Sequence, residues 1–165
     1  MLKPLLILCA AFFVDSAAAT AQAQARVEAA DFEGLRPLQQ QTADAAIRDY
    51  LQSWQGLQSA LEQNRPDLLD PDFAGDARGK LGKTIADQAA LGIRTRYQDA
   101  SHRLRIVFYS PEGLSIELTD DVEYDLEILD HEKLATKHHI RGRYIAVLTP
   151  SDSRWRVRVF QAAPE

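Results

Sequence analysis

The sequence predicts an α+β domain, with helices first and a four-stranded antiparallel sheet after them. Three observations carry this. Between Leu38 and Gln63, apolar side chains recur at steps of three and four, which lines one face of a helix. Beyond Ile93 the period changes to two and stays there almost to the end of the chain. Three polar turn segments cut that second half into four alternating strands, the pattern of a meander with one buried face. The 165 residues, 45% hydrophobic and 26% charged, suffice for one such domain, and they hold no internal repeat or low-complexity linker.

The first helix carries Ala46, Ile47, Tyr50, Leu51, Trp54, Leu57 and Leu61 on its apolar stripe. Arg65 and Pro66 end it, because proline disfavours helical geometry in the residue before it. Asp67, Leu68 and Leu69 allow one further turn, stopped by Pro71. Gly75 to Gly92 predicts a second helix, with Ala77, Leu81, Ile85 and Ala89 at steps of four, Asp76 as N-cap and Gly92 as C-cap. It is the weaker of the two, since Gly79 and Gly82 each cost ~1 kcal/mol relative to Ala.

In the first strand Leu104, Ile106 and Phe108 are expected on one face, and Arg103, Arg105, Val107 and Tyr109 on the other. The even-numbered face continues through Leu114, Ile116, Leu118, Val122, Tyr124, Leu126 and Ile128, then Ile140, Tyr144, Ala146 and Leu148. Trp155, Val157 and Val159 line the last strand. The turns fall at Ser110 to Gly113, Asp130 to Lys133 and Pro150 to Ser153, all rich in turn-forming residues.

The N-terminus predicts export. A basic start with Lys3 precedes the apolar run LLILCAAFFV (Leu5 to Val14), and small residues with repeated Ala-x-Ala triplets follow. The run is about half the length that spans a hydrocarbon core of ~30 Å, so no permanent membrane anchor is expected. Residues 1–25 read as a signal peptide, with cleavage after Ala21, Ala23 or Ala25, and residues 26–37 as a flexible arm ahead of a single domain over 38–162. The expected location is periplasmic or secreted. Cys9 is the only cysteine and lies in the apolar run behind the bulky Leu8, which excludes thiol catalysis and thiolate metal binding from the processed chain. The acidic balance, with 19 Lys and Arg against 24 Asp and Glu, argues against nucleic-acid binding.

Two segments carry a family resemblance. The run AIRDYLQSWQGLQSALEQNRPDLLDPDF resembles the start of nuclear transport factor 2-like domains, and YIAVLTPSDSRWRVRVFQ, with Trp155 opening its last strand, resembles their end. The resemblance is one of pattern and spans Ala43 to Gln161. It implies that the sheet curls around the long helix into a cystatin-like cone. It also implies a choice of functions, because the superfamily holds ketosteroid isomerases and polyketide cyclases with an acidic base in the cone beside members that only bind or dimerise.

Asp120 is the residue on which that choice turns. In a regular strand it shares a face with Leu118 and Val122, and a carboxylate in an apolar cone is suited to general-base work. Tyr124, Tyr97 and His138 would be its partners in orienting a substrate carbonyl. The favoured expectation is instead a bulge at Asp120 and Asp121 that turns Asp120 outward, so no catalytic residue is assigned. No metal site is expected, because the adjacent His138 and His139 point to opposite faces of a strand and no zinc-type spacing occurs. There is no nucleophile elbow, phosphate loop or dinucleotide fingerprint, and no cofactor is expected.

On the outer sheet face, Arg103 and Arg105, then Arg141 and Arg143, then Arg154, Arg156 and Arg158 alternate outward, with Glu117, Glu123, Asp125 and Glu127 between them. Cross-strand ion pairing is the plain expectation. A docking face made by Arg141, Arg143, Arg154, Arg156 and Arg158 is the functional one. The sequence therefore points to an exported, non-enzymatic module that binds a small apolar ligand or a protein, with a homodimer through the sheet also open. The alternatives are a cofactor-free isomerase, dehydratase or cyclase, and a subunit of an envelope assembly.

Overall fold

In the computed structural model, which describes residues 24–29 and 36–163, the elements follow the expected order with one addition. They are β1 (Gln24–Val27), α1 (Gln40–Gln63), a 3-10 turn (Pro66–Leu69), α2 (Gly75–Ala90), β2 (Ile93–Tyr109), β3 (Ile116–Asp130), β4 (Lys133–Pro150) and β5 (Trp155–Ala162). The sheet is curved and mixed, in the order β1-β2-β3-β4-β5. β2 to β5 form the expected antiparallel meander. β1 is the addition. It pairs parallel with β2 from Gln24 opposite Ser101 to Val27 opposite Leu104, so part of the segment read as a loose arm is a strand. Four exposed residues are too few to show a period, which is why the sequence concealed it. The expected export signal falls almost wholly on residues 1–23, outside the described residues. No helix among the described residues is long and apolar enough to cross a membrane.

α1 forms where its stripe predicts and buries Ala46, Ile47, Tyr50, Trp54, Leu57 and Ala60 against the sheet. Full burial of a large apolar side chain stabilises by ~1.5–3 kcal/mol, so this face holds helix and sheet together. Asn64 closes the helix in the left-handed conformation, its N–H donating back to the carbonyls of Ala60 and Leu61. The cap of α2 lies two residues before the expected one. Ala74 is its N-cap, and Asp76 lies in the first turn, paired with Lys80 at 2.8 Å. Gly92, at φ +68°, is the residue just past the end. Ala89 is exposed, while Gln88 is buried and ties α2 to Leu61, Asn64 and Thr95 through its amide.

The sheet register sets which side chains enter the core. β3 is regular over its core-facing length, and Ile116, Leu118, Asp120, Val122 and Tyr124 alternate inward without a break. The irregularities lie elsewhere: in β2 between Asp99 and Ser101 and between Ile106 and Phe108, in the β3–β4 ladder between Ile128 and Leu129, and in the β4–β5 ladder between Val147 and Leu148. The second reverses the expected faces. Phe108 is 45% exposed and Tyr109 is buried, because the extra residue of a bulge shifts the parity by one. The β3–β4 turn is a two-residue connection with His131 and Glu132 both at positive φ, the geometry that matches strand twist.

Beyond β5, Phe73 makes a parallel bridge to Val157, and buried Asp72 receives Arg154 at 2.6 Å. Asp49 of α1, also buried, accepts the N–H of Trp155 at 2.8 Å. Two buried acids thus fix where the last strand starts.

Candidate functional site

Asp120 is fully buried, at 0% exposure, which overturns the expected outward turn. The physical reason is the regular register of β3. With Leu104 opposite it on β2 and Tyr144 opposite it on β4, no extra residue breaks the alternation there. Two donors from different elements converge on its Oδ2. The Tyr50 hydroxyl of α1 donates at 3.0 Å, and His102 Nδ1 of β2 lies at 2.8 Å. Its Oδ1 has no hydrogen-bond partner among the described residues. Burial, and next the negative charge of Asp120, push the Tyr50 phenol well above its ordinary range, so Tyr50 is a firm proton donor.

An aromatic shell encloses this triad. The Trp54 ring meets His102 edge-on at 5.1 Å between centroids, and it touches Tyr97, Tyr124, Tyr144 and Phe160 within 6.0 Å. Tyr97 donates its hydroxyl to the Trp54 carbonyl at 2.6 Å. The Tyr124 and Tyr144 hydroxyls lie 3.1 Å apart, and Tyr144 stacks on Phe160. Such edge and offset contacts each add ~0.5–1.5 kcal/mol beyond area burial. The interior of the cone is therefore occupied by side chains.

The other candidates separate cleanly. Tyr124 and Tyr97 do lie inside the cone near Trp54. His138 does not. It sits on the exposed part of β4, with Nε2 2.9 Å from Thr136 Oγ1. His139 is on the opposite face and contacts Asp125 at 2.8 Å. His102, and not His138, stands beside Asp120, and the sequence carries a signal for it. It has the same even parity as Leu104 and Ile106, one step upstream of the expected strand. Among the described residues no group of three His, Cys, Asp or Glu side chains is placed to hold a metal ion.

The five arginines of the suggested docking face do not act together. Arg143 pairs with Asp121 at 2.6 Å and Arg141 with Glu123 at 3.2 Å, directly across the β3–β4 ladder. Lys137 and His139 repeat the arrangement with Glu127 and Asp125. Arg154 turns instead to Asp72, and Arg156 to the carbonyls of Asp70 and Phe73. Arg158 is exposed beside Gly75.

Two larger depressions open on the surface. A groove of about 730 Å³ runs between α1 and the β1 segment, lined by Val27, Ile47, Leu51 and Ile106 among others. A second, of about 500 Å³, is lined by Arg26, Arg103, Glu123 and Arg141, and His102 borders it. Asp120, Tyr50 and Trp54 line neither.

No protein-family model and no curated protein matches the chain. Solved structures do. The intermembrane space region of the chloroplast protein ARC6 superposes with a TM-score of 0.62 at 14% identity, over 79% of this chain and 100% of that one. A provisional scytalone dehydratase from Novosphingobium aromaticivorans follows at 0.52 and 14%, over 76% and 89%. The Kfla4162 protein from Kribbella flavida gives 0.52 and 8%, over 73% and 91%. At these identities the likeness is one of fold. The chain has the nuclear transport factor 2-like fold, a scaffold shared by enzymes and by proteins of other kinds.

Proposed function

We propose that the protein is an exported, non-enzymatic interaction module, and that its buried Tyr50–Asp120–His102 triad serves the fold. The observation that carries this reading is the packing of Trp54, Tyr97, Tyr124, Tyr144 and Phe160 through the cone, with Asp120 sealed beneath them. A general base has to come within hydrogen-bond reach of the proton it removes. Here that space is filled by the chain itself. Export is supported by the leader-like residues 1–25.

A second reading has one observation in its favour. An imidazole oriented by a carboxylate, with a phenol donor beside it, is the equipment of a cofactor-free dehydratase or isomerase, and one structural neighbour bears a dehydratase name. In that reading Trp54 and Phe160 move aside and His102 reaches the substrate. One experiment separates the two. The purified protein is assayed for water loss from, and proton exchange in, β-hydroxy ketones, alongside Asp120→Asn. The expected result is no turnover by either protein. Turnover that falls by ~10²–10⁴ in the isosteric variant overturns the module reading. N-terminal sequencing of exported protein should start at Gln22, Gln24 or Arg26; an exported, soluble form that retains Met1 overturns the export part.

A further inference from the structure

The leader-like stretch and the sheet meet in the same residues. Three bonds follow Ala-x-Ala triplets, after Ala21, Ala23 and Ala25. β1 begins at Gln24, and its ladder sets Gln24 opposite Ser101, Ala25 opposite His102, Arg26 opposite Arg103 and Val27 opposite Leu104. Just past it, the Glu28 N–H donates to the Leu104 carbonyl at 2.8 Å. The Glu28 carboxylate pairs with Arg105 and, at 3.8 Å, with Arg103. A leader is cut away and holds no place in the folded domain, whereas Gln24 and Ala25 each have a ladder partner. A cut after Ala25 removes both. It leaves two residues of a four-residue strand and puts a charged amine in the middle of the ladder, at Arg26.

The two cuts that keep β1 whole share a chemical consequence. Either one leaves glutamine first, Gln22 or Gln24, while the cut that breaks β1 leaves arginine. A terminal glutamine holds a free amine within ring-closing reach of its own side-chain amide. The amine nitrogen attacks Cδ, and the new N–Cδ bond closes a lactam. The bond from Cδ to Nε2 breaks, and that nitrogen takes a proton from the amine and leaves as ammonia. No oxidant or co-reactant is needed. At Gln24 the surroundings favour the step. Gln24 is exposed and lines the depression of about 500 Å³, where Arg26, Arg103 and Arg141 outnumber Asp121 and Glu123. Excess positive charge disfavours an ammonium there and raises the share of free amine, the form that attacks. The lactam is neutral and keeps an N–H, so it suits the start of an edge strand.

We infer that the exported protein keeps β1 whole and opens on a pyroglutamate formed from Gln22 or Gln24. This rests on the export part of the proposed function. It adds to that reading which cut is barred and what becomes of the new terminus.

The whole chain, leader included, is expressed in a host that exports it, and the exported protein is weighed intact by mass spectrometry. Its N-terminal peptide is then sequenced by fragmentation, because a lactam blocks stepwise chemical sequencing until it is removed. The expected mass is that of a chain from Gln22 or Gln24 less one ammonia. The loss falls on the first residue, which no longer reacts with amine reagents. Protein collected early with an open terminal glutamine is expected to lose ammonia on warming at neutral pH. Gln22→Ser and Gln24→Ser together are expected to leave the cut in place and the terminal amine reactive, with no ammonia lost from the first residue. A start at Arg26, or at any residue other than Gln22 and Gln24, overturns the proposal. So does a terminal glutamine that stays open through prolonged warming, or an ammonia loss that persists in the double variant. Those results leave export standing. A soluble exported chain that retains Met1 overturns export and this inference with it.

Discussion

Asp120 and Asp121 stand next to each other in β3 and differ in the direction the pleat points them. Asp120 enters the cone, where burial shuts it off from bulk solvent and Tyr50 and His102 meet its Oδ2. Asp121 points to solvent and meets Arg143 on the neighbouring strand. The inner acid belongs to a packed network in which each member restrains the others. The outer acid belongs to a ladder of cross-strand pairs that water and salt can replace. The same carboxylate therefore does two jobs within one peptide bond, and residue type alone does not say which. Parity does.

The largest test of this contrast is Trp54→Ala. Trp54 is the hub that five rings contact, and its removal opens a cavity over the triad. Chemical denaturation is expected to show a loss of ~3–5 kcal/mol. Domains of this kind have ~5–15 kcal/mol in all, so the variant is expected to be marginal. A loss below about 1 kcal/mol would show the cone to be loosely filled. The inner region would then be a vacant ligand chamber, and the contrast with the outer face would fail.

A smaller effect comes from Tyr50 and has a defined pH sign. Burial and the neighbouring Asp120 raise its folded pKa above the ordinary phenol value, so the folded state keeps a proton that the unfolded chain gives up. Its contribution is fully present below about pH 10 and is lost as the pH climbs from there toward the folded value. Denaturant midpoints between about pH 9 and 11 should fall with rising pH, and in Tyr50→Phe the fall should be shallower by about one proton. An unchanged alkaline slope would mean that Tyr50 reaches water, and with it that the triad is open.

Much of this was legible in the residues. The stripe from Ala46 to Leu57 and the even-numbered run from Ile116 to Leu148 gave both layers, because each buries one face and so must alternate. What escaped was of two kinds. β1 and the reversal of Phe108 and Tyr109 depend on pairing and on a bulge, neither of which leaves a period in the chain. The triad depends on three elements meeting, and Tyr50 read only as a core aromatic because its hydroxyl is invisible to hydropathy. The outward turn expected of Asp120 has a sound basis that does not apply here. Two acids in a strand do often mark a bulge, but buried donors from Tyr50 and His102 made the regular register affordable.

The smallest effect tests the outer half of the contrast. Arg143 donates to Asp121 through Nε at 2.6 Å and through its second arm at 3.1 Å, and this hydrogen bonding holds the Asp121 carboxyl below its ordinary range. A lowered folded pKa means that the stabilisation is present above about pH 4 and is lost as the pH falls through the folded value. Both side chains are nevertheless well exposed, so solvent and salt screen the pair. Asp121→Asn is therefore expected to lower the melting temperature at neutral pH by about 2 °C or less, and by less still at high salt. A drop well beyond that, unchanged by salt, would show the ladder to be as integral to the fold as the buried triad. The two faces of β3 would then differ in exposure alone.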